Sequence, residues 1–150
     1  MNLKTCLAID LGYEYFTYHG ASLGLAYARY AEVGGWKYGR GVSVSGAAIF
    51  DTTIAFGPQL SAWMCGGAYH VGFGGTAGYY INERGQATFR VCPQLGAGGK
   101  RWRLFYGYSF SLLGTTMLTQ YTSTVCLHWL FDVHTFKRNN LGTDKNLKRN

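Results

Sequence analysis

The chain has 150 residues and a net charge of +7, with 47% hydrophobic, 17% aromatic and only 14% charged residues. That length suits one domain, and that charge content lies far below the roughly 25% of a soluble domain. No run of about 18 apolar residues occurs, so a transmembrane helix is not expected, and the 22 glycines have no three-residue period, so a collagen-like chain is excluded.

Residues 4–17 open a two-residue alternation that places successive side chains on opposite faces of a strand. Leu7, Ile9, Leu11, Tyr13 and Tyr15 share one face, and Asp10, Gly12 and Glu14 the other. A His19-Gly20 turn is expected next. Residues 21–32 set Leu23, Leu25 and Tyr27 against Ser22, Gly24, Ala26 and Ala28, and Gly34-Gly35 breaks the run. Residues 36–50 set Val42, Val44, Ala48 and Phe50 against Ser43, Ser45 and Ala47. Residues 53–64 set Ile54, Phe56, Leu60 and Met64 against Gly57, Gln59 and Ser61.

Residues 69–82 continue the pattern with Val71, Phe73, Tyr79 and Ile81 against His70, Gly72, Thr76 and Gly78. The segment 82–85, Asn-Glu-Arg-Gly, is a strong turn signal. Residues 86–98 place Phe89, Val91 and Leu95 opposite Thr88, Arg90, Cys92 and Gln94. Residues 101–113 are the clearest case: Trp102, Leu104, Tyr106, Tyr108, Phe110 and Leu112 oppose Arg103, Gly107, Ser109 and Ser111, with Phe105 the exception. A last strand at 117–132 sets Tyr121, Val125, Leu127, Trp129 and Phe131 against Thr122, Thr124 and His128. Pro58 and Pro93 fall within strands and suggest bulges or rim positions.

About eight strands joined by short turns make an all-β, up-and-down antiparallel barrel. Strands of 11–14 residues exceed the five or six typical of soluble proteins and suit a tilted crossing of a bilayer. A soluble lipocalin-like barrel would put the greasy face inside. It would then show a surface poor in charge, and would have to crowd dozens of large side chains into a narrow interior. Turning the greasy face outward, toward lipid, removes both difficulties. The expected architecture is therefore a transmembrane β-barrel over residues 1–136, followed by a basic, solvated tail at 137–150. That tail carries Lys137, Arg138, Lys145, Lys148 and Arg149 against Asp144, four of the seven net positive charges.

In such a barrel Asp10, Glu14, Arg90, Arg103, Gln59 and Gln94 face the lumen, where buried charges need partners. Carboxylate–guanidinium pairs that plug the lumen are the main expectation, and a narrow ion path is the alternative. Trp36, Trp63, Tyr79, Trp102 and Trp129, with Tyr13, Tyr15, Tyr38 and Tyr69, are expected at the membrane interfaces. The four cysteines, Cys6, Cys65, Cys92 and Cys126, are widely spaced without a CxxC pair, so free thiols are expected and a zinc site is not. His19, His70, His128 and His134 are scattered, and Ser123 with His128 makes a poor catalytic pair. The Gly-Gly pairs lack the context of a phosphate loop. No catalytic residue, metal or cofactor is expected, and no nucleic-acid partner.

The stretch from Phe56 to Phe110 resembles small outer-membrane barrel proteins of Bacteroidota. The matching residues are Gly57-Pro58-Gln59-Leu60, Tyr79-Tyr80, Pro93-Gln94-Leu95-Gly96 and Tyr106-Gly107-Tyr108-Ser109. Gln94 stands where that pattern has an acid, Ser109 where it has Asn, and Cys92 where it has Arg. The resemblance covers a third to a half of the chain. It implies a barrel in the bacterial outer membrane without a catalytic residue, serving as an anchor or as a subunit of a larger membrane complex. Outer-membrane placement requires export. The N-terminal segment does not read as a secretory signal, because Asp10 breaks its apolar run and no small-residue cleavage site follows.

Overall fold

The computed structural model describes residues 2–15, 18–51, 53–68, 70–114 and 121–140. Eight antiparallel strands follow one another in chain order and close into a barrel: β1 (Asn2–Tyr15), β2 (His19–Val33), β3 (Trp36–Phe50), β4 (Ile54–Gly67), β5 (Val71–Asn82), β6 (Ala87–Gly98), β7 (Trp102–Gly114) and β8 (Tyr121–Asn140). The expected all-β meander is the observed fold.

The ladder fixes the barrel's dimensions. A walk straight across from Thr5 passes Arg29, Arg40, Met64, Phe73, Leu95, Tyr106 and Val125, and re-enters β1 at Tyr15. The stagger from Thr5 to Tyr15 is ten residues. With the usual strand spacing it implies a tilt of about 40° and a backbone radius of about 8 Å. A tube that narrow is filled by its own side chains. The small inward residues, such as Ala8, Ala26, Ala28, Ser43, Ser61 and Ala47, let it close.

Alternation sets the two faces. Leu23, Leu25, Val44, Phe56, Leu60, Phe73, Leu95, Tyr106 and Phe131 stand exposed outside, while Asp10, Gln59, Arg90, Gln94, Arg103 and His128 are buried inside. Phe105, the exception to the pattern, is buried in the lumen. The parity of the position decides the face even for a large ring.

Several details correct the sequence reading. His19 and Gly20 lie in β2, paired with Tyr15 and Glu14, and do not form a turn. β8 runs on to Asn140, so its pairing with β1 extends into the segment assigned to the tail; residues 141–150 lie outside the described residues. Pro58 and Pro93 mark neither bulge nor rim. Each sits mid-strand beside a gap in one ladder, with no change of register across it. A proline has no N–H to give, so pairing lapses there without a shift. The register shifts fall instead at Phe89/Arg90 and in the β1–β8 seam.

Turn chemistry is as the residues demand. Gly34 and Gly35 both have positive φ (59° and 82°), which fits a two-residue hairpin between Val33 and Trp36. At the opposite end Asn82 accepts from the N–H groups of Arg84 and Gln86 through Oδ1, at 3.0 and 2.9 Å, and Gly85 supplies the left-handed residue.

Candidate functional site

The interior divides into layers. Beneath the end where β1 begins and β8 ends, Asp10 on β1 accepts from Arg103 Nη2 on β7 at 2.9 Å through Oδ2, and its Oδ1 lies 3.0 Å from Nδ1 of His128 on β8. The guanidinium of Arg103 lies 3.5 Å over the ring of Trp63 from β4. Gly41 makes room for that ring: a Cβ there would stand 2.4 Å from it. A carboxylate, a guanidinium, an imidazole and an indole from four strands thus close the lumen.

Toward the other end the chemistry softens. Glu14 accepts from Gln59 Nε2 at 2.9 Å. Arg90 donates through Nε to Ser109 at 3.1 Å, through Nη2 to Thr122 at 3.4 Å, and through Nη1 to the Tyr18 hydroxyl. Gln94 donates to the Cys126 sulfur at 3.2 Å. The cavity bounded by Glu14, Tyr18, Tyr80 and Arg90 holds about 10 Å³, about the minimum needed for one water.

Above the Asp10 layer a vestibule of about 790 Å³ opens at the end where β1 begins and β8 ends. Lys4, Lys37, Lys100, Glu32, His70, Tyr30, Cys65 and Trp63 are among the residues around it. At its rim Asp132 is paired with Lys4, lies 3.8 Å from Lys100 Nζ, and accepts from the Cys6 thiol at 3.3 Å. In the β6–β7 turn the pKa of Lys100 is lowered, first by desolvation and then by the neighbouring Lys4. The vestibule is a cationic mouth over a closed floor.

All six lumen residues expected from the sequence lie inside: Asp10, Gln59, Arg90, Gln94 and Arg103 are fully buried and Glu14 partly so. Only Asp10 and Arg103 make the expected kind of pair. Glu14 takes an amide and Arg90 takes hydroxyls. Among the expected interface aromatics, Trp36, Tyr79, Trp102 and Trp129 stand outside, 41–51% exposed. Trp63 does not: it is 6% exposed and stacks inside, because its parity matches Gln59 and Ser61. Tyr69 lies outside the described residues. His128 lies inside with Thr122 and Thr124, as its parity in the sequence places it, and there it joins the Asp10 cluster. Ser123 points outward and His128 inward, so the two do not meet. The four cysteines are buried and free. Among the described residues no group of three or more His, Cys, Asp or Glu is placed to hold a metal ion.

Compared with protein-family models, curated proteins and solved structures, the chain matches none.

Proposed function

We propose that this chain is an integral β-barrel of the bacterial outer membrane. Its filled lumen suits it to a structural role, as an anchor or as a subunit of a larger membrane complex, and not to wide-pore transport or catalysis. One observation carries the reading: large apolar side chains stand exposed on every strand of a closed barrel, while Asp10, Gln59, Arg90, Gln94 and Arg103 are buried inside it. Water is a poor solvent for that exterior and a good one for that interior.

The dimensions fit the same reading. On β3 the outward positions from Val42 to Phe50 carry no charge. At about 2.5 Å of axial rise per residue they span roughly 20–25 Å, the height of an outer-membrane apolar belt. Trp36 and Tyr38 lie beyond one end of that span, where interfacial rings belong. The resemblance to Bacteroidota barrels points to the same membrane. The alternative of a soluble barrel with an apolar ligand finds little support in an interior of Asp10, Gln59, Arg90 and Arg103. The alternative of a narrow channel must contend with the Trp63–Arg103–Asp10 layer across its path.

The test is the behaviour of the purified chain on a gel and in water. Folded protein that needs detergent or lipid, and migrates differently before and after boiling, is the expected result. A monomer stable in detergent-free buffer overturns the proposal.

A further inference from the structure

The outer wall carries a pair of arginines at the edge of its apolar belt. Arg29 on β2 and Arg40 on β3 are directly opposed across the ladder, and both are exposed outside. Like charges in that position repel at close range. Their outer neighbours along the ladder are Met64 on one side and Tyr27, Val42 and Tyr38 on the diagonals, all uncharged. Among the described residues no carboxylate forms a salt bridge with either arginine. Arg29 instead lies back on Tyr27, its Nε 3.3 Å from the hydroxyl and its guanidinium carbon 5.8 Å from the ring centre.

The two arginines head a trough of about 500 Å³ in the outer wall. Its walls are Tyr27, Val42, Met64 and Phe73, and its floor is low because Ala62 and Gly75 occupy outward positions between them. The trough is apolar along its length and cationic at one end. That end is the one where β1 begins and β8 ends; there successive strands are separated by two or three residues, against three to six at the other end. Short turns mark the periplasmic side of an outer-membrane barrel.

We infer that this trough is a binding site for one anionic phospholipid of the periplasmic leaflet, with the phosphate between Arg29 and Arg40 and an acyl chain along Ala62 and Gly75. The inference rests on the membrane reading above. Charge complementarity selects the headgroup: two guanidiniums with no carboxylate partner among the described residues match a phosphodiester, which each can hold by paired N–H donors. The small residues select the chain, since they leave space that only an apolar rod fills.

The test is native mass spectrometry of the full chain in detergent, with equal amounts of dioleoylphosphatidylglycerol and dioleoylphosphatidylcholine. Wild type is expected to keep a single phosphatidylglycerol in preference to phosphatidylcholine. The preference should fall about fivefold for each arginine removed in Arg29→Gln and Arg40→Gln. Gly75→Leu should lower retention of both lipids. A Cβ at Gly75 would stand 3.4 Å from the Cys92 carbonyl oxygen, an ordinary contact, so the added side chain projects into the trough. Heat-modifiable migration of each variant confirms that the barrel is intact. Equal retention of the two lipids by wild type overturns the site, as does a preference indifferent to the arginines or retention indifferent to Gly75→Leu. Inorganic phosphate displacing the lipid would reassign the site to a free anion, and a lipid-free dimer lost in Gly75→Leu would reassign it to a second copy. A chain that needs no detergent overturns the membrane reading itself, which separates the two failures.

Discussion

Two clusters of like composition sit a few residues apart in this barrel. In each, one aspartate from a terminal strand meets two basic groups. Asp10 with Arg103 and His128 closes the lumen, and the side chains of the ion pair are 2–3% exposed. Asp132 with Lys4 and Lys100 rims the vestibule, with side chains 22–48% exposed. The chemistry is nearly the same and the solvent is not. Inside, each charge has lost its water and depends on its partners. At the rim, water and salt replace a partner at little cost. The pairing that matters is therefore the one whose loss leaves an ion with nowhere to go.

Removing the inner carboxylate is the largest test of that contrast. Asp10→Asn leaves Arg103 charged, buried and stacked on Trp63 with no anion. It should destabilise the barrel by about 3–5 kcal/mol in urea titrations in detergent. Combining it with Arg103→Met should recover most of the loss, because the orphaned charge is gone. A single variant as stable as wild type would show that water reaches the layer, and the lumen would then be wetter than its packing suggests.

Trp63→Ala follows. The ring is buried against Arg103, and truncating a buried tryptophan costs about 3 kcal/mol or more through the cavity left behind. Trp102→Ala, on the outside, should cost less in the same titration. Equal losses would place the two rings in equivalent surroundings, against the inside–outside division.

His128→Gln is a smaller probe of the same layer. It removes one hydrogen bond to Asp10 and keeps Arg103 in place, so a loss of about 1 kcal/mol is expected. A loss as large as that of Asp10→Asn would make His128, and not Arg103, the principal partner of the carboxylate.

The sequence made most of this legible, for one reason. In a barrel the side-chain period is two, and one face is apolar, so eight strands and their inner residues can be read by parity alone. Where the residue's type was trusted over its parity, the reading failed. Trp63 looked like an interfacial ring, yet it shares its face with Gln59 and Ser61. His128 goes inside with Thr122 and Thr124 as its parity says, and only its meeting with Asp10 was hidden. His19-Gly20 looked like a turn because Gly permits one, whereas the ladder simply continues through it. What parity cannot supply is which inner residues meet. That depends on the stagger around the barrel, and it brings Asp10 to Arg103 and gives Glu14 an amide. The prolines were misread because a missing N–H can open one ladder bond without moving the register.

The rim gives the smallest expected effect and the sharpest control. Lys100→Ala removes a cation 3.8 Å from Asp132 that is about half exposed, while Lys4 remains. Exposed pairs of this kind contribute about 0.2–1 kcal/mol, so a loss at the bottom of that range is expected, vanishing as salt is raised. The loss in Asp10→Asn should persist at the same salt, because no ions screen a layer closed to solvent. If both losses vanished together, the inner cluster would be as open as the rim. If neither did, the rim cluster would be buried by something that covers the mouth, and the vestibule would be the place to look for a partner.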